Sequence, residues 1–264
     1  MSNTLKHKQV GFTLVELVTV IILLGVVGTF SSRFIADNVV LYQSSVNQNE
    51  RLNDARFVIN RMSKELDSAI AFSVTEDIPT AGQFCIQFVP FTAAGQYLNN
   101  VAGTNPIQLI MDPISIAAGS AATGTFDGQR ISVLTTNSTD FYENAESQND
   151  SIATIQTYTA SGSQATLVLD DPLDHDSAVS RYFIAKNKVR YCLVDKELYR
   201  SEAPLDRPFA TSVLMADNLS IGSSMSLTNA SQFSNAILEL NFNFLLRDGS
   251  EIKFEHQVVM SNVP

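Results

Sequence analysis

The chain has 264 residues, 45% hydrophobic and 17% charged, with 17 Lys and Arg against 27 Asp and Glu, two Cys, three His and no Trp. Twelve Gly and eight Pro exclude a collagen-like or low-complexity chain, and a formal charge of −10 argues against a general polyanion binder, which needs a cationic face. Two Cys and three His leave almost nothing for a zinc site.

In chain order, the first element is the run from Phe12 to Phe30, FTLVELVTVIILLGVVGTF, in which 13 of 19 residues are large and apolar. As a helix rising 1.5 Å per residue it is about 28 Å long, close to the hydrocarbon thickness of a bilayer. Lys6, His7 and Lys8 precede it, and no acidic residue occurs before Glu16. That charge distribution predicts a single-pass helix with its N-terminal end in the cytoplasm and the chain beyond about residue 34 on the far side. A secretory signal peptide would have a shorter apolar core followed by an Ala-x-Ala-like site. Glu16 is the anomaly, because an unpaired carboxylate in such a run costs about 2–3 kcal/mol near the bilayer centre and needs a partner.

Lys8-Gln9-Val10-Gly11 followed by Phe12-Thr13-Leu14-Val15-Glu16 resembles the type III signal of type IV prepilins and type II secretion pseudopilins. The resemblance implies cleavage between Gly11 and Phe12 by a prepilin peptidase, which then methylates the new N-terminal residue, Phe12. It also implies that Glu16 makes an assembly contact with the terminal ammonium of a neighbouring subunit. An ammonium beside a carboxylate in an apolar setting is a register-specific pair, and removal of the leader creates that ammonium. The expected organisation is a leader at 1–11, a transmembrane helix at 12–34, a periplasmic amphipathic continuation of the stem helix at 35–71, and a periplasmic β-rich head at 72–264.

No Pro or Gly occurs from Arg33 to Ala71. Val39, Tyr42, Val46, Leu52, Val58, Ile59, Met62, Leu66 and Ile70 fall mostly at three- and four-residue steps, which predicts one helix over 12–71. Gly25 and Gly28 are its expected weak points. Many major pilins have a Pro where this chain has Ser31 to Phe34, so the resemblance suggests a straighter stem and a minor subunit. The Arg51, Arg56, Arg61 and Lys64 series is interleaved with Glu50, Asp54, Glu65 and Asp67, including an Arg61–Glu65 i,i+4 pair, and reads as a solvated face rather than a nucleic-acid stripe.

After Ala71 the period becomes two. Strands are expected at Phe84–Val89, Ile107–Met111, Arg130–Leu134, Ile152–Tyr158, Thr166–Leu169, Arg181–Ala185, Lys188–Val194 and Ser212–Ala216. A final hairpin is predicted, in which Leu238, Leu240, Phe242 and Phe244 alternate, Arg247-Asp248-Gly249-Ser250 turns, and Ile252, Phe254, Val258 and Met260 return. The fold class is α+β, a long N-terminal helix laid on antiparallel sheet in a pilin-like way. The stretch 99–164, rich in Ala, Gly, Ser, Thr and Asn, reads as long polar loops between short strands, surface decoration with some subunit contact.

Asp170, Asp171, Asp174 and Asp176 around His175 match no EF-hand spacing. No G-x-S-x-G elbow, Walker A loop or dinucleotide fingerprint occurs, so no catalytic residue, cofactor or metal is expected and the chain does not read as an enzyme. Cys85 and Cys192 both fall in predicted strands on the side assigned to the periplasm, where a disulfide can form; two buried free thiols are the alternative.

Arg181-Tyr182-Phe183-Ile184, Val189-Arg190-Tyr191-Cys192-Leu193-Val194, Leu198-Tyr199-Arg200 and the closing Val258 to Pro264 are similar to minor pilins of the J-type pseudopilin group, among them subunits of mannose-sensitive haemagglutinin (MSHA) pilus biogenesis. The polar region at 112–165 departs from that pattern. What the resemblance implies is a scarce subunit at or near a filament tip that primes assembly. Its partners would be prepilin peptidase, other minor and major pilins through the N-terminal helix, and an inner-membrane platform, with no nucleic acid. The helix face around Val58, Met62 and Leu66 would hold the head. The alternatives are a J-type pseudopilin of a type II secretion system and a DNA-uptake minor pilin, the latter disfavoured because residues 12–264 carry 15 Lys and Arg against 27 Asp and Glu.

Overall fold

The computed structural model describes residues 11–77, 83–110, 122–142, 151–231 and 234–261. Lys6, His7 and Lys8 of the expected leader, Met111, much of the polar region and Asn262 to Pro264 lie outside the described residues. The chain divides into two compact units, one ending at Glu50 and one beginning at Arg51.

The described part of the first unit is almost wholly α1 (Leu14–Asp67), which is unbroken through Gly25 and Gly28 and supplies its last turns to the second unit. Val39, Tyr42 and Val46 are exposed, and an apolar stripe of the helix is buried from Ala55 onward. Helical periodicity marks an apolar face without saying which medium covers it. In the second unit Ala55, Val58, Met62 and Leu66, three and four residues apart, are fully buried. Each of the larger three contributes roughly 1.5–3 kcal/mol on leaving water. The helix stops at Asp67, four residues short of the expected end, because the next residues are captured by a strand. Ala69 bridges Pro90, the Ile70 N–H donates to the Val89 carbonyl at 3.0 Å, and a 3-10 turn follows at Ala71–Ser73.

That second unit contains two open sheets and a barrel. A five-stranded antiparallel sheet is built from β1 (Thr75–Asp77), β2 (Gln83–Phe88), β9 (Asn187–Val194), β10 (Glu197–Pro204) and β11 (Ser212–Ala216), paired in the order β1-β2-β9-β10-β11. A three-stranded sheet follows, β12 (Ser224–Thr228), β13 (Ala236–Leu245) and β14 (Glu251–Met260). The β13–β14 hairpin is the one the alternation predicts. Phe242 faces Phe254 and Phe244 faces Ile252, and the turn closes with Gly249 at φ +83°, a conformation that favours a residue without Cβ. The inward residues of both sheets and the buried stripe of α1 share one core, with Phe88, Tyr191, Leu198, Leu238, Phe242 and Phe244 among its largest members.

The region read as polar loops is different. β3 (Phe91–Leu98), β4 (Ile107–Ile110), β5 (Arg130–Ser132), β6 (Ile152–Ser161), β7 (Gln164–Leu169) and β8 (Arg181–Ala185) close into an antiparallel barrel in the order β3-β4-β7-β6-β5-β8. Its filling is its own: Tyr97, Ile107, Leu109, Ile131, Ile155, Tyr158, Leu167, Tyr182 and Ile184 are buried together, with Phe126 edge-on to Tyr158 at 4.9 Å. Strands expected from Ile107, Arg130, Ile152, Thr166 and Arg181 are present, but they close into a barrel instead of decorating the surface between long loops, and the α+β class stands. Closure leaves this sheet without edges, which lets short strands with modest apolar content hold together. A third apolar cluster, Ile70, Val89, Phe141, Phe183, Ala185 and Leu205, fills the seam between barrel and sheet, and the short helix α2 (Thr139–Tyr142) supplies Phe141 to it.

Candidate processing and assembly site

The first unit carries the residues singled out by sequence. Thr13 is the N-cap of α1: its Oγ1 accepts the Glu16 N–H at 3.3 Å and its carbonyl accepts the Leu17 N–H at 3.2 Å. Thr13-Leu14-Val15-Glu16 has the T-x-x-E form of a capping box, a start signal legible in the sequence that the prepilin resemblance overshadowed. Gly11, Phe12 and Thr13 therefore precede the helix in non-helical backbone. Phe12 is 80% exposed, and a Cβ placed on Gly11 would meet no atom within 4 Å. Among the described residues the Gly11–Phe12 peptide bond is non-helical, exposed and one residue before the cap.

Along the apolar run, polar side chains bond back to the helix itself. Thr19 Oγ1 donates to the Glu16 carbonyl at 2.9 Å, Thr29 Oγ1 to the Val26 carbonyl at 2.8 Å, and Asn38 Nδ2 to the Phe34 carbonyl at 2.7 Å. Such back-bonding removes the cost of carrying a hydroxyl or amide through an apolar medium. Glu16 is the exception. It is exposed, and its carboxylate makes no hydrogen bond or ion pair among the described residues. It sits in the first turn, where the helix dipole favours an anion but supplies no counter-charge. The helix is long and apolar enough to cross a membrane, and a signal sequence near an N-terminus meets the same criterion.

In the second unit Cys85 on β2 and Cys192 on β9, directly opposite in register, are joined by a disulfide with Cα atoms 4.0 Å apart. The acidic loop after β7 is organised by backbone and not as a ligand cage. Asp170 Oδ1 accepts the N–H of Thr154 at 2.7 Å and of Asp171 at 2.9 Å. Asp176 accepts the Tyr97 hydroxyl, whose oxygen in turn accepts the Ser177 N–H at 2.6 Å. Burial, with the Asp176 bond adding, pushes the Tyr97 phenol up to about 12. His175 is exposed, and no group of three His, Cys, Asp or Glu with metal-binding geometry occurs among the described residues.

The basic series on α1 is drawn into ion pairs. Arg51 meets Asp54 at 3.0 Å and Asp217 at 2.5 Å, and Arg61 meets Glu65 at 2.6 Å. Sequence reasoning missed the distant partners, Asp217 for Arg51 and Tyr191 and Arg200 for Glu65, because they lie on strands, or in Asp217's case directly after one, more than a hundred residues away.

Helix, sheets and site define an α+β protein whose N-terminal helix presents an apolar run, Phe12 to Phe30, that holds one carboxylate, Glu16, with no partner among the described residues. No protein-family model, characterised protein or solved structure matches the chain.

Proposed function

We propose that the chain is a minor pilin-like structural subunit, not an enzyme, which is cleaved between Gly11 and Phe12, N-methylated at Phe12, and then primes assembly of a type IV filament of the MSHA kind at or near its tip. The observation that carries the reading is the conjunction at the helix start: an exposed, non-helical Gly11–Phe12 bond immediately before a Thr13-capped helix, and one carboxylate, Glu16, in the first turn of an apolar run. In this reading the new ammonium at Phe12 of one subunit answers the Glu16 carboxylate of the next. The pair forms only after processing, because the uncut chain has an amide at that position. The disulfide supports a head that folds in an oxidising compartment such as the periplasm. The partners are prepilin peptidase, the inner-membrane assembly platform, and minor and major pilins that meet the apolar helix.

The test uses a strain lacking the gene, re-supplied with the wild type or with Glu16→Val. Surface filaments are counted and secreted enzymes assayed in the same cultures, and the N-terminus of the recovered protein is read by mass spectrometry. The expected result is an N-methylated Phe12 in both, lost filaments with Glu16→Val, and unchanged secretion. Normal filaments with enzymes trapped inside the cell would assign the chain to a secretion system. An uncut Gly11–Phe12 bond in functional protein would remove the pilin reading altogether.

A further inference from the structure

We propose that residues 91–185 form an inserted module, a barrel that folds on its own core inside a head that is complete without it, so that its role is separable from whatever the stem helix does. The inference rests on topology, packing and charge, and does not depend on the filament reading.

Topology comes first. β2 and β9 are neighbours in the five-stranded sheet, and Phe88 at the end of one faces Val189 near the start of the other. The chain leaves the sheet at Phe88, builds every strand of the barrel, and returns at Asn187. The two ends of the barrel also lie together, since Phe91 of β3 faces Ala185 of β8. Entry and exit in register on adjacent strands is the geometry of a domain inserted into a hairpin, and such insertions leave the parent core intact.

Packing divides at the same points. The helix–sheet core draws only on residues up to Phe88 and from Val189 onward, and the barrel core only on residues between Ala93 and Ile184. The two meet at the small seam cluster and at a clamp in which Ser73 Oγ accepts the Val89 N–H at 2.9 Å and Tyr142 donates its hydroxyl to the Ser73 carbonyl. The disulfide ties β2 to β9 three residue pairs behind the exit point, so the neck is fixed covalently on the sheet side.

Charge is segregated as well. Residues 91–185 hold two Arg (Arg130 and Arg181), no Lys, and ten Asp and Glu, a net −8; the remaining 15 Lys and Arg and 17 Asp and Glu give −2. Most of the molecule's net charge therefore belongs to the insertion. A module of this sign keeps itself soluble and is repelled by anionic membrane surfaces, a different surface chemistry from that of the helix and sheets.

The separation is testable on the full chain in detergent micelles. Residues 89–188 are replaced by Asn-Gly, joining Phe88 to Val189. The 4.0 Å Cα separation at Cys85 and Cys192 marks a non-hydrogen-bonded pair, so three positions on, Phe88 and Val189 form the hydrogen-bonded kind that a two-residue turn closes. The expected result is a cooperative thermal transition with no free thiol, since Cys85 and Cys192 still pair. Because excision bares Ile70 and Leu205 at the seam, a second variant, Leu109→Asp, keeps the whole chain and breaks only the barrel core. Hydrogen exchange in barrel peptides should then quicken by at least about tenfold while β13 and β14 peptides change less than about twofold. Protection lost throughout the head, or exchange unchanged everywhere, would overturn the proposal, as would an excised chain with free thiols whose Leu109→Asp counterpart unfolds as one unit. Filament counts do not enter either readout, so failure of the module and failure of the pilin reading are told apart.

Discussion

Glu65 on α1 is the point at which helix and sheet are bonded by charge as well as by apolar contact. Its carboxylate accepts Arg61 Nε at 2.6 Å, Arg200 Nε of β10 at 2.9 Å and the Tyr191 hydroxyl of β9 at 2.8 Å. Burial pushes the Tyr191 phenol well above its ordinary value, with the neighbouring Glu65 charge adding to it. Burial works against the Arg200 charge, yet hydrogen bonds to Glu65 and Glu202 outweigh it and hold the guanidinium protonated. Glu65→Gln should therefore cost about 1–3 kcal/mol in denaturant unfolding, because Arg200 loses its counter-charge and one of the two oxygens that Arg61, Arg200 and Tyr191 share becomes a donor; a change below about 0.5 kcal/mol would show the node to be solvated. Tyr97 gives a pH-dependent counterpart in the barrel. Its phenol is raised to about 12 in the folded state from an ordinary 10, so its stabilisation is complete below pH 10 and is lost as pH rises towards 12. That window is worth about 2–3 kcal/mol. Unfolding free energies at pH 9 and 11.5 should converge in Tyr97→Phe relative to the wild type, and equal slopes in the two proteins would contradict the assignment.

At the scale of elements, the disulfide closes the longest covalent loop among the described residues and does so between strands that already pair. For a separation of 107 residues the chain-entropy view gives about 4–5 kcal/mol. The paired Cys85→Ser, Cys192→Ser variant should thus melt roughly 10–15 °C lower. A shift of only a degree or two would mean that the barrel persists in the unfolded ensemble and leaves little loop entropy to remove. What the sequence made legible follows the same local-versus-distant division. β13 alternates apolar and polar from Leu238 to Phe244 and β14 from Glu251 to Glu255, and both are readable because the inward residues of β13 and the end of β14 are buried. β3 was not, since Ala93, Ala94 and Gly95 carry little strand propensity. Its glycine is demanded by the two neighbouring strands, since an added Cβ would lie 3.0 Å from the Tyr182 hydroxyl of β8 and 3.1 Å from the Ile110 carbonyl of β4. β10 was hidden in the same way by Glu197, Arg200, Glu202 and Pro204, which the sheet tolerates because Glu65, Asn187 and their neighbours answer the charges. Gly11, Phe12 and Glu16 stood out because their signal is local, whereas barrel closure depends on pairings such as β3 with β8, some ninety residues apart.

Over the whole molecule, apolar surface is divided as sharply as charge. Of the 27 large hydrophobic side chains exposed among the described residues, 20 lie between Phe12 and Val46, and the other seven, from Phe57 to Val259, are scattered through the second unit. A band of that kind, with no acidic or basic side chain between Glu16 and Arg33, cannot remain in water without association. The second unit has three apolar clusters of its own, and nothing in its composition requires the band. Residues 51–264 purified without detergent should accordingly be monodisperse and monomeric by light scattering, while the full chain should need micelles or assemble. The two halves of this expectation fail for different reasons. An aggregating 51–264 fragment would make Val213, Leu214 and Ile221, exposed aliphatics of the second unit, part of a contact between copies. A full chain that stayed monomeric in plain buffer would mean that the stem finds cover within its own molecule. Glu16 would then need no second subunit, and the physical basis for a filament contact would be gone.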